Sequence, residues 1–246
     1  MRFGLIGYPL GHSFSKEYFT EKFHQLGLEG YTYDLFPIAE MHDVLDILKS
    51  DIVGLNITIP YKTSILDYLS DIHPQALQIG AVNTIAKTGH NSWKGFNTDA
   101  SGFRQCVQHW FGSEPLPERA LILGSGGTSK AIQFILSDLG VKSTVVSTSG
   151  KGDMPYAALS EEVIRSHQLI VNTTPLGMYP DLLSCPDIPY EFISSQHWVF
   201  DVIYNPANTL FLRRSQQMGA KTKNGLEMLY LQADHAWEIW KHYGNF

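Results

Sequence analysis

Short apolar runs alternate with amphipathic stretches along the first hundred residues. Phe3 to Gly7 reads as a strand, and Lys16 to Leu26 carries Phe19, Phe23 and Leu26 at helical spacing. Tyr31 to Phe36 alternates as a strand before Pro37, and Met41, Val44, Leu45 and Leu48 mark an amphipathic helix. Leu55 to Ile59 (LNITI) predicts a buried strand, followed by a helical segment around Ile65 to Leu69. Ala81 to Ala86 and Ser92 to Phe96 pair as strands across the turn Thr88-Gly89-His90-Asn91. A loop by composition, GSEPLPE at Gly112 to Glu118, separates this series from a second one. There Ala120 to Leu123 is a strand, a glycine cluster follows, and a helix runs from Ser129 to Leu139. Further strands are expected at Val141 to Val146, Leu169 to Asn172 and Val199 to Ile203, with a helix after Pro206. The stretch from Gly225 to Tyr243 is one long amphipathic helix with Leu226, Leu229, Tyr230, Ala233, Trp237 and Trp240 on one face. Strands separated by helices predict βα units, and the break predicts two α/β lobes.

Composition narrows the class. With 246 residues the chain can hold one large or two modest domains, and 43% hydrophobic with 17% charged residues is ordinary for a soluble globular protein. A net charge of -6 argues against nucleic acid or anionic lipid as the main partner. The basic pair Arg213-Arg214 reads as a solvated helix face. Cys106 and Cys185 lie far apart, the histidines are scattered singly, and no metal site is expected. The opening MRFGLIGYPLG lacks a small-residue cleavage site and leads into His12-Ser13 without a break, so it is not read as a signal peptide. No stretch reaches the length of a membrane span. A soluble, cytoplasmic protein is expected.

The glycine cluster brings in a cofactor. Gly124-Ser125-Gly126-Gly127 follows an apolar strand directly and opens a helix, the context in which such a cluster holds a pyrophosphate. Gly124 permits the tight turn, Gly126 lets backbone approach the anion, and the helix N-terminus supplies free N–H groups. The third fingerprint position is Ser129, which departs from glycine or alanine. About 20 residues on, an NAD site places a carboxylate for the ribose 2′-hydroxyl. Here the strand ends in Ser147, Thr148 and Ser149, followed by Gly150 and Lys151. Hydroxyls and one lysine suit a 2′-phosphate, so NADP is expected before NAD, which stays possible.

Polar residues at the other predicted strand ends supply candidate chemistry. Ser13 and Ser15 open a helix, where one serine suffices as a cap and two make a cradle for a small carboxylate. Lys62 follows a strand-ending proline, as a surface lysine or as a group delivered to a crevice at the carboxyl end of a sheet. Asn83 and Asp99 lie near the ends of neighbouring predicted strands, and Asp99 also suits a helix cap. Together these groups fit reduction of a carbonyl. Hydride addition builds negative charge on oxygen, which an ammonium stabilises and protonates, and a carboxylate holds that ammonium in place.

The motifs GHSFS, NITIPYK, GAVNT, GFNTDASGF, the glycine turn, VNTTPLGM, DVIYNP and NGLEMLYLQA occur in this order. In this combination the sequence resembles the shikimate dehydrogenase family over nearly its whole length. The resemblance implies NADPH-dependent reduction of 3-dehydroshikimate to shikimate, a step of aromatic amino-acid biosynthesis. It implies Lys62 and Asp99 as the catalytic pair and Ser13 and Ser15 on the substrate carboxylate. Thr58, Asn83 and Gln232 would hold the ring hydroxyls, with Tyr204 on the substrate side. Gly124, Gly126 and Gly127 would form the pyrophosphate loop, Ser147, Thr148 and Lys151 would lie on the cofactor side, and Gly225 and Met228 would approach the nicotinamide. A mixed-sheet α/β substrate domain over 1–98, completed by the helix at 225–246, and a Rossmann-type domain over 99–224 with a parallel sheet are implied. Closure of the cleft between them would exclude water, and a monomer or homodimer is expected. Where the family commonly carries Asn-Arg-Thr, this chain has Ser147-Thr148-Ser149, and Thr128 replaces a usual alanine. The rival readings are a quinate-oxidising relative using NAD, a non-catalytic dinucleotide sensor, and a folate-type dehydrogenase. Retention of both Lys62 and Asp99 weighs against the sensor.

Overall fold

The computed structural model describes residues 1–11 and 13–244. His12 of the GHSFS motif and the last two residues of the expected 225–246 segment lie outside the described residues. The chain divides into two compact units, one formed by Met1–Thr98 with the chain from Ala233 onward, the other by Asp99–Gln232.

The first unit is built in chain order from β1 (Arg2–Gly7), α1 (Phe14–Gln25), β2 (Thr32–Pro37), α2 (Val44–Leu48), β3 (Ile52–Ile57), β4 (Asp71–Ile72), α3 (Pro74–Ile79), β5 (Thr84–Gly89) and β6 (Ser92–Phe96). Its sheet runs β2-β1-β3-β5-β6-β4 and is mixed. β1 pairs in parallel with β2 and β3, whereas β5 is antiparallel to both β3 and β6. The LNITI run leaves the ladder earlier than its apolar pattern predicts, since β3 ends at Ile57. Thr58 stays tied to the sheet through its N–H to the Ile6 carbonyl, and Tyr61 N–H then closes a turn onto the Thr58 carbonyl. Lys62 therefore sits in a turn beyond the strand, anchored where its carbonyl accepts from Val82 N–H at 2.7 Å. The predicted helices around Met41 and Ile65 are partly or wholly tight 3-10 turns, at Met41–Asp43 and Ser64–Tyr68.

The second unit contains α4 (Thr98–Phe111, from Asp99), β7 (Arg119–Leu123), α5 (Gly127–Asp138), β8 (Lys142–Val146), α6 (Glu161–Ser166), β9 (Leu169–Asn172), β10 (Trp198–Asp201), α7 (Leu210–Gln217), β11 (Lys221–Asn224) and the first part of α8 (Leu226–Gly244). Its sheet, β11-β10-β9-β7-β8, is parallel throughout. β7, β9 and β10 are almost continuously apolar because helices cover both faces of such a sheet. From β7 the chain goes to β8 on one side and later to β9 on the other, so a topological switch point lies at the carboxyl ends of β7 and β9. Open α/β sheets bind ligands at that position.

The end of α8 completes the core of the first unit. Trp237 and Trp240 pack with Phe3, Phe19, Phe23 and Tyr33, and the Trp240 indole N–H donates to the Ile85 carbonyl at 3.0 Å. Gly54 on β3 makes room for that indole, since a Cβ there would lie 2.5 Å from Cδ1 and Nε1 of Trp240. Both partners are held by the sheet and the core, so neither yields cheaply. Gly54→Ala is expected to lower unfolding stability by about 1–3 kcal/mol. An unchanged urea midpoint would show that the tryptophan repacks freely.

Candidate active site

The polar residues of the first unit are joined by buried hydrogen bonds. Ser13 is the N-cap residue of α1, with extended backbone, yet its hydroxyl makes no capping bond. Ser15 lies in the first turn of that helix. The Tyr33 hydroxyl donates to Asn56 Oδ1 at 2.7 Å, and Asn56 Nδ2 donates to Thr84 Oγ1 at 3.1 Å. Thr84 and Thr98 share a hydroxyl contact of 3.2 Å. Asn83 Nδ2 donates to Thr98 Oγ1 at 3.0 Å, while Asn83 Oδ1 accepts from Thr98 N–H at 2.6 Å. Tyr33, Asn56, Asn83, Thr84 and Thr98 are all buried, so this chain is fixed by its low-dielectric surroundings. Burial pushes the Tyr33 phenol well above its ordinary range. Thr58 is half-buried beside Gly7, where a Cβ would lie 2.4 Å from the Thr58 methyl. Tyr33 and Asn83, far apart in sequence, are thus joined in one network. Tyr33, Asn56, Thr84 and Thr98 are members that sequence reasoning missed, and only the Asn-Thr repeat in GAVNT and GFNT hinted at it.

In the second unit the glycine turn lies at the switch point. Gly124 has φ of +107°, and a Cβ there would meet Thr173 Oγ1 at 2.7 Å, so both conformation and contact require glycine. Gly126 is the N-cap residue of α5 with ordinary φ of -81°, and a Cβ there would meet nothing within 4 Å. Gly127 opens the helix. The space above Gly126, beside the N–H groups of the first turn of α5, fits a pyrophosphate. Where β8 ends, Ser125, Ser147 and Ser149 close a ring of hydroxyls, with Oγ separations of 2.9, 3.1 and 2.8 Å. Ser149 is one of the hydroxyls the sequence offered for a 2′-phosphate, whereas Ser125, inside the glycine cluster, had been given no role there. Thr148 and Lys151 are exposed, and among the described residues their side chains join no hydrogen bond or ion pair. A ring of hydroxyls without a carboxylate fits a phosphorylated ribose better than an arrangement built to accept from a 2′-hydroxyl.

Asp99 is buried at the start of α4, where Thr128 of α5 donates to its Oδ2 at 3.4 Å. Gly225 is required sterically, because a Cβ there would lie 2.1 Å from the Val202 carbonyl oxygen. Met228 and Gln232 follow on α8 against Gly102, whose absent Cβ would lie 3.0 Å from the Met228 carbonyl and 3.1 Å from Gln232 Cβ. Tyr204 is half-buried in the segment after β10. A second buried network, also unforeseen, shapes these loops. Asp201 accepts from Asn172 Nδ2 at 3.0 Å, Ile203 N–H at 3.1 Å and Thr209 Oγ1 at 2.6 Å. Asn172 in turn accepts from Thr174 N–H and Oγ1, and Thr173 Oγ1 donates to the Leu123 carbonyl beside the glycine turn. Burial without a cationic partner pushes the Asp201 carboxyl up to about 6, against the pull of its three hydrogen bonds. Among the described residues, no group of three His, Cys, Asp or Glu side chains is placed to hold a metal ion, and no helix is long and apolar enough to cross a membrane.

A mixed-sheet α/β unit joined to a parallel-sheet unit with a glycine turn at its switch point defines a two-unit oxidoreductase of the dinucleotide-binding class. Residues 5–85 match the family model for the shikimate dehydrogenase substrate binding domain, and the chain is 37% identical to the NADP(+) shikimate dehydrogenase of Bacillus cereus (strain ATCC 10987 / NRS 248), covering 97% of this chain and 91% of that protein. It belongs to the shikimate dehydrogenase family. The crystal structure of shikimate dehydrogenase from Aquifex aeolicus superposes with a TM-score of 0.86 at 30% identity, covering 98% of this chain and 92% of that one. Shikimate 5-dehydrogenase of Thermus thermophilus, in complex with NADP(H) and shikimate, gives a TM-score of 0.85 at 32% identity over 98% and 94% of the two chains.

Proposed function

We infer that this protein is an NADP-dependent shikimate dehydrogenase that interconverts 3-dehydroshikimate and shikimate in the cytoplasm. The first unit binds substrate and the second binds NADP. What carries the reading is that both halves of such a site are built in this family member. Asn83 is locked on a buried network, Ser13 keeps its hydroxyl out of the helix cap, and open space stands above Gly126. NADPH, when bound, supplies the hydride. Lys62 then gives a proton to the carbonyl oxygen as its charge grows, and Asp99 is the carboxylate that accompanies it in the same reaction. Ser13 and Ser15 hold the substrate carboxylate, Thr58, Asn83 and Gln232 hold ring hydroxyls, and Tyr204 lies on the substrate side. Gly124, Gly126 and Gly127 cradle the pyrophosphate. Gly225 and Met228 flank the nicotinamide. Ser147, with Thr148 and Lys151 nearby in sequence, faces the 2′-phosphate.

Initial rates of shikimate oxidation with NADP⁺ and NAD⁺ test this reading, with NADP⁺ expected to give the higher kcat/KM. Ser149→Asp would place a carboxylate in the exposed part of the hydroxyl ring, where it repels a 2′-phosphate but not a 2′-hydroxyl. The variant is expected to lose about 10- to 100-fold in kcat/KM for NADP⁺ while keeping its NAD⁺ value. Equal losses with both cofactors would remove the ring from the 2′-phosphate site. No oxidation of shikimate with either cofactor would overturn the assigned activity.

A further inference from the structure

The turn that carries Lys62 is tied to the sheet by main-chain bonds on both sides. Tyr8 N–H donates to the Ile59 carbonyl at 3.0 Å, and Val82 N–H donates to the Lys62 carbonyl at 2.7 Å. Between them, Tyr61 adds a tie of another kind. Its ring is buried in an apolar cluster with Ile6, Ile38, Leu55, Ile57 and Ile65. Its hydroxyl reaches the loop after β2, where it donates to the Ile38 carbonyl at 2.6 Å and faces the Ala39 carbonyl at 3.0 Å. Both partners are acceptors only, so the single phenol proton is held between them. Apolar packing has no direction and lets a ring slide along its own length, whereas the two carbonyls fix how far this one enters the core. A rigid peptide plane joins Tyr61 to Lys62, so the depth of the ring also sets where the Lys62 Cα lies. Lys62 itself is half-buried.

We propose that Tyr61 is a positioning residue for Lys62: its hydroxyl pins the turn at the depth from which the ammonium meets the reacting oxygen. The phenol touches no ligand, because its proton is committed to main-chain carbonyls. This rests on the proton-transfer role given to Lys62 under the proposed function. Proton transfer needs donor and acceptor within hydrogen-bond reach, and a small displacement of the donor slows the step more than it weakens binding. A phenylalanine would fill the same pocket, leave the Ile38 carbonyl without its donor, and free the turn to shift.

Single-turnover rates of shikimate oxidation by NADP⁺, with KM from steady state, read this in the unaltered protein, Tyr61→Phe, Lys62→Ala and the double variant. Tyr61→Phe is expected to slow the single turnover about 5- to 30-fold, with KM for shikimate changed less than about twofold. In the Lys62→Ala background the same change is expected to cost less than about twofold, because no ammonium is left to misplace. A merely structural tyrosine would lower thermal stability or slow both backgrounds alike, without that dependence on Lys62. An unchanged rate in Tyr61→Phe, or an equal loss with and without Lys62, overturns the proposal. If Tyr61→Phe does not fold, Tyr61→His is read in the same cycle and by the same two outcomes, since its shorter ring can bond the Ile38 carbonyl only by drawing the turn inward. Normal oxidation by Lys62→Ala sinks the proton-transfer reading, and this inference with it. A slow Lys62→Ala beside an unaffected Tyr61→Phe sinks this inference only.

Discussion

Lys62→Ala is expected to lower kcat for shikimate oxidation by about 10²–10⁴, with a much smaller change in KM. The ammonium matters most when the carbonyl oxygen carries developing charge, so its loss raises the barrier more than it weakens ground-state binding. The groups assigned to binding, Ser13 on α1 and Asn83 on its buried network, are untouched by the substitution. The turn that presents Lys62 is also preserved, because Val82 N–H bonds its main-chain carbonyl and not its side chain. Steady-state kinetics in both directions, with circular dichroism as a check on folding, would measure the split. A raised KM with normal kcat would move the lysine from proton transfer to binding.

Asp201→Asn should remove a pH dependence of stability that the unaltered protein shows between about pH 4 and 6. Folding raises this carboxyl from its ordinary 3.8 to about 6, so the folded state holds the proton over a range in which the unfolded chain has lost it. Stability contributed here is therefore present below the unfolded value and declines as pH rises through about 6. The gap corresponds to about 3 kcal/mol, all of it lost by pH 7. Asparagine carries no charge at any pH and can keep the bonds from Ile203 N–H and Asn172. The difference in unfolding free energy between the two proteins, read from urea midpoints at pH 4, 5, 6 and 7, should change by about 2 kcal/mol across that range, since part of the change already lies below pH 4. Other titrating groups cancel in the difference. A flat difference curve would mean that Asp201 folds with an unshifted carboxyl.

Much of the sheet was legible because parallel strands covered on both faces leave continuous apolar runs, as in Leu121-Ile122-Leu123 and Leu169 to Val171. β11 escaped the pattern: Lys221-Thr222-Lys223-Asn224 is a polar edge strand held by backbone pairing with β10, and no side-chain period marks it. β4, two residues long, and α6, six, are too short for periodicity to register. LNITI over-ran its strand because the β-branched run continues past the ladder, through half-buried Thr58 to Ile59, which is exposed. The site was legible where a residue type is rare in its setting, such as a lysine beyond a buried run or glycines between strand and helix. Tyr33 and Asp201 were not, because a tyrosine in a strand and an aspartate at a strand end are ordinary in sequence. Their significance comes from partners many positions away, Asn56 for the one, Asn172 and Thr209 for the other.

The aromatic core of the first unit takes Trp237 and Trp240 from the far end of the chain, and Gly54 is shaped to receive the second of them. On a ribosome, those tryptophans emerge only after all of Asp99–Gln232 has been made. The lobe translated first is therefore the last to be completed. During synthesis it waits with an unfilled groove beside β3 while the parallel-sheet lobe already holds its whole sheet. A nascent chain stalled before residue 237 would expose Phe3, Phe19 and Phe23 to chaperones, which makes the emergence of Trp237 and Trp240 the event that closes this core.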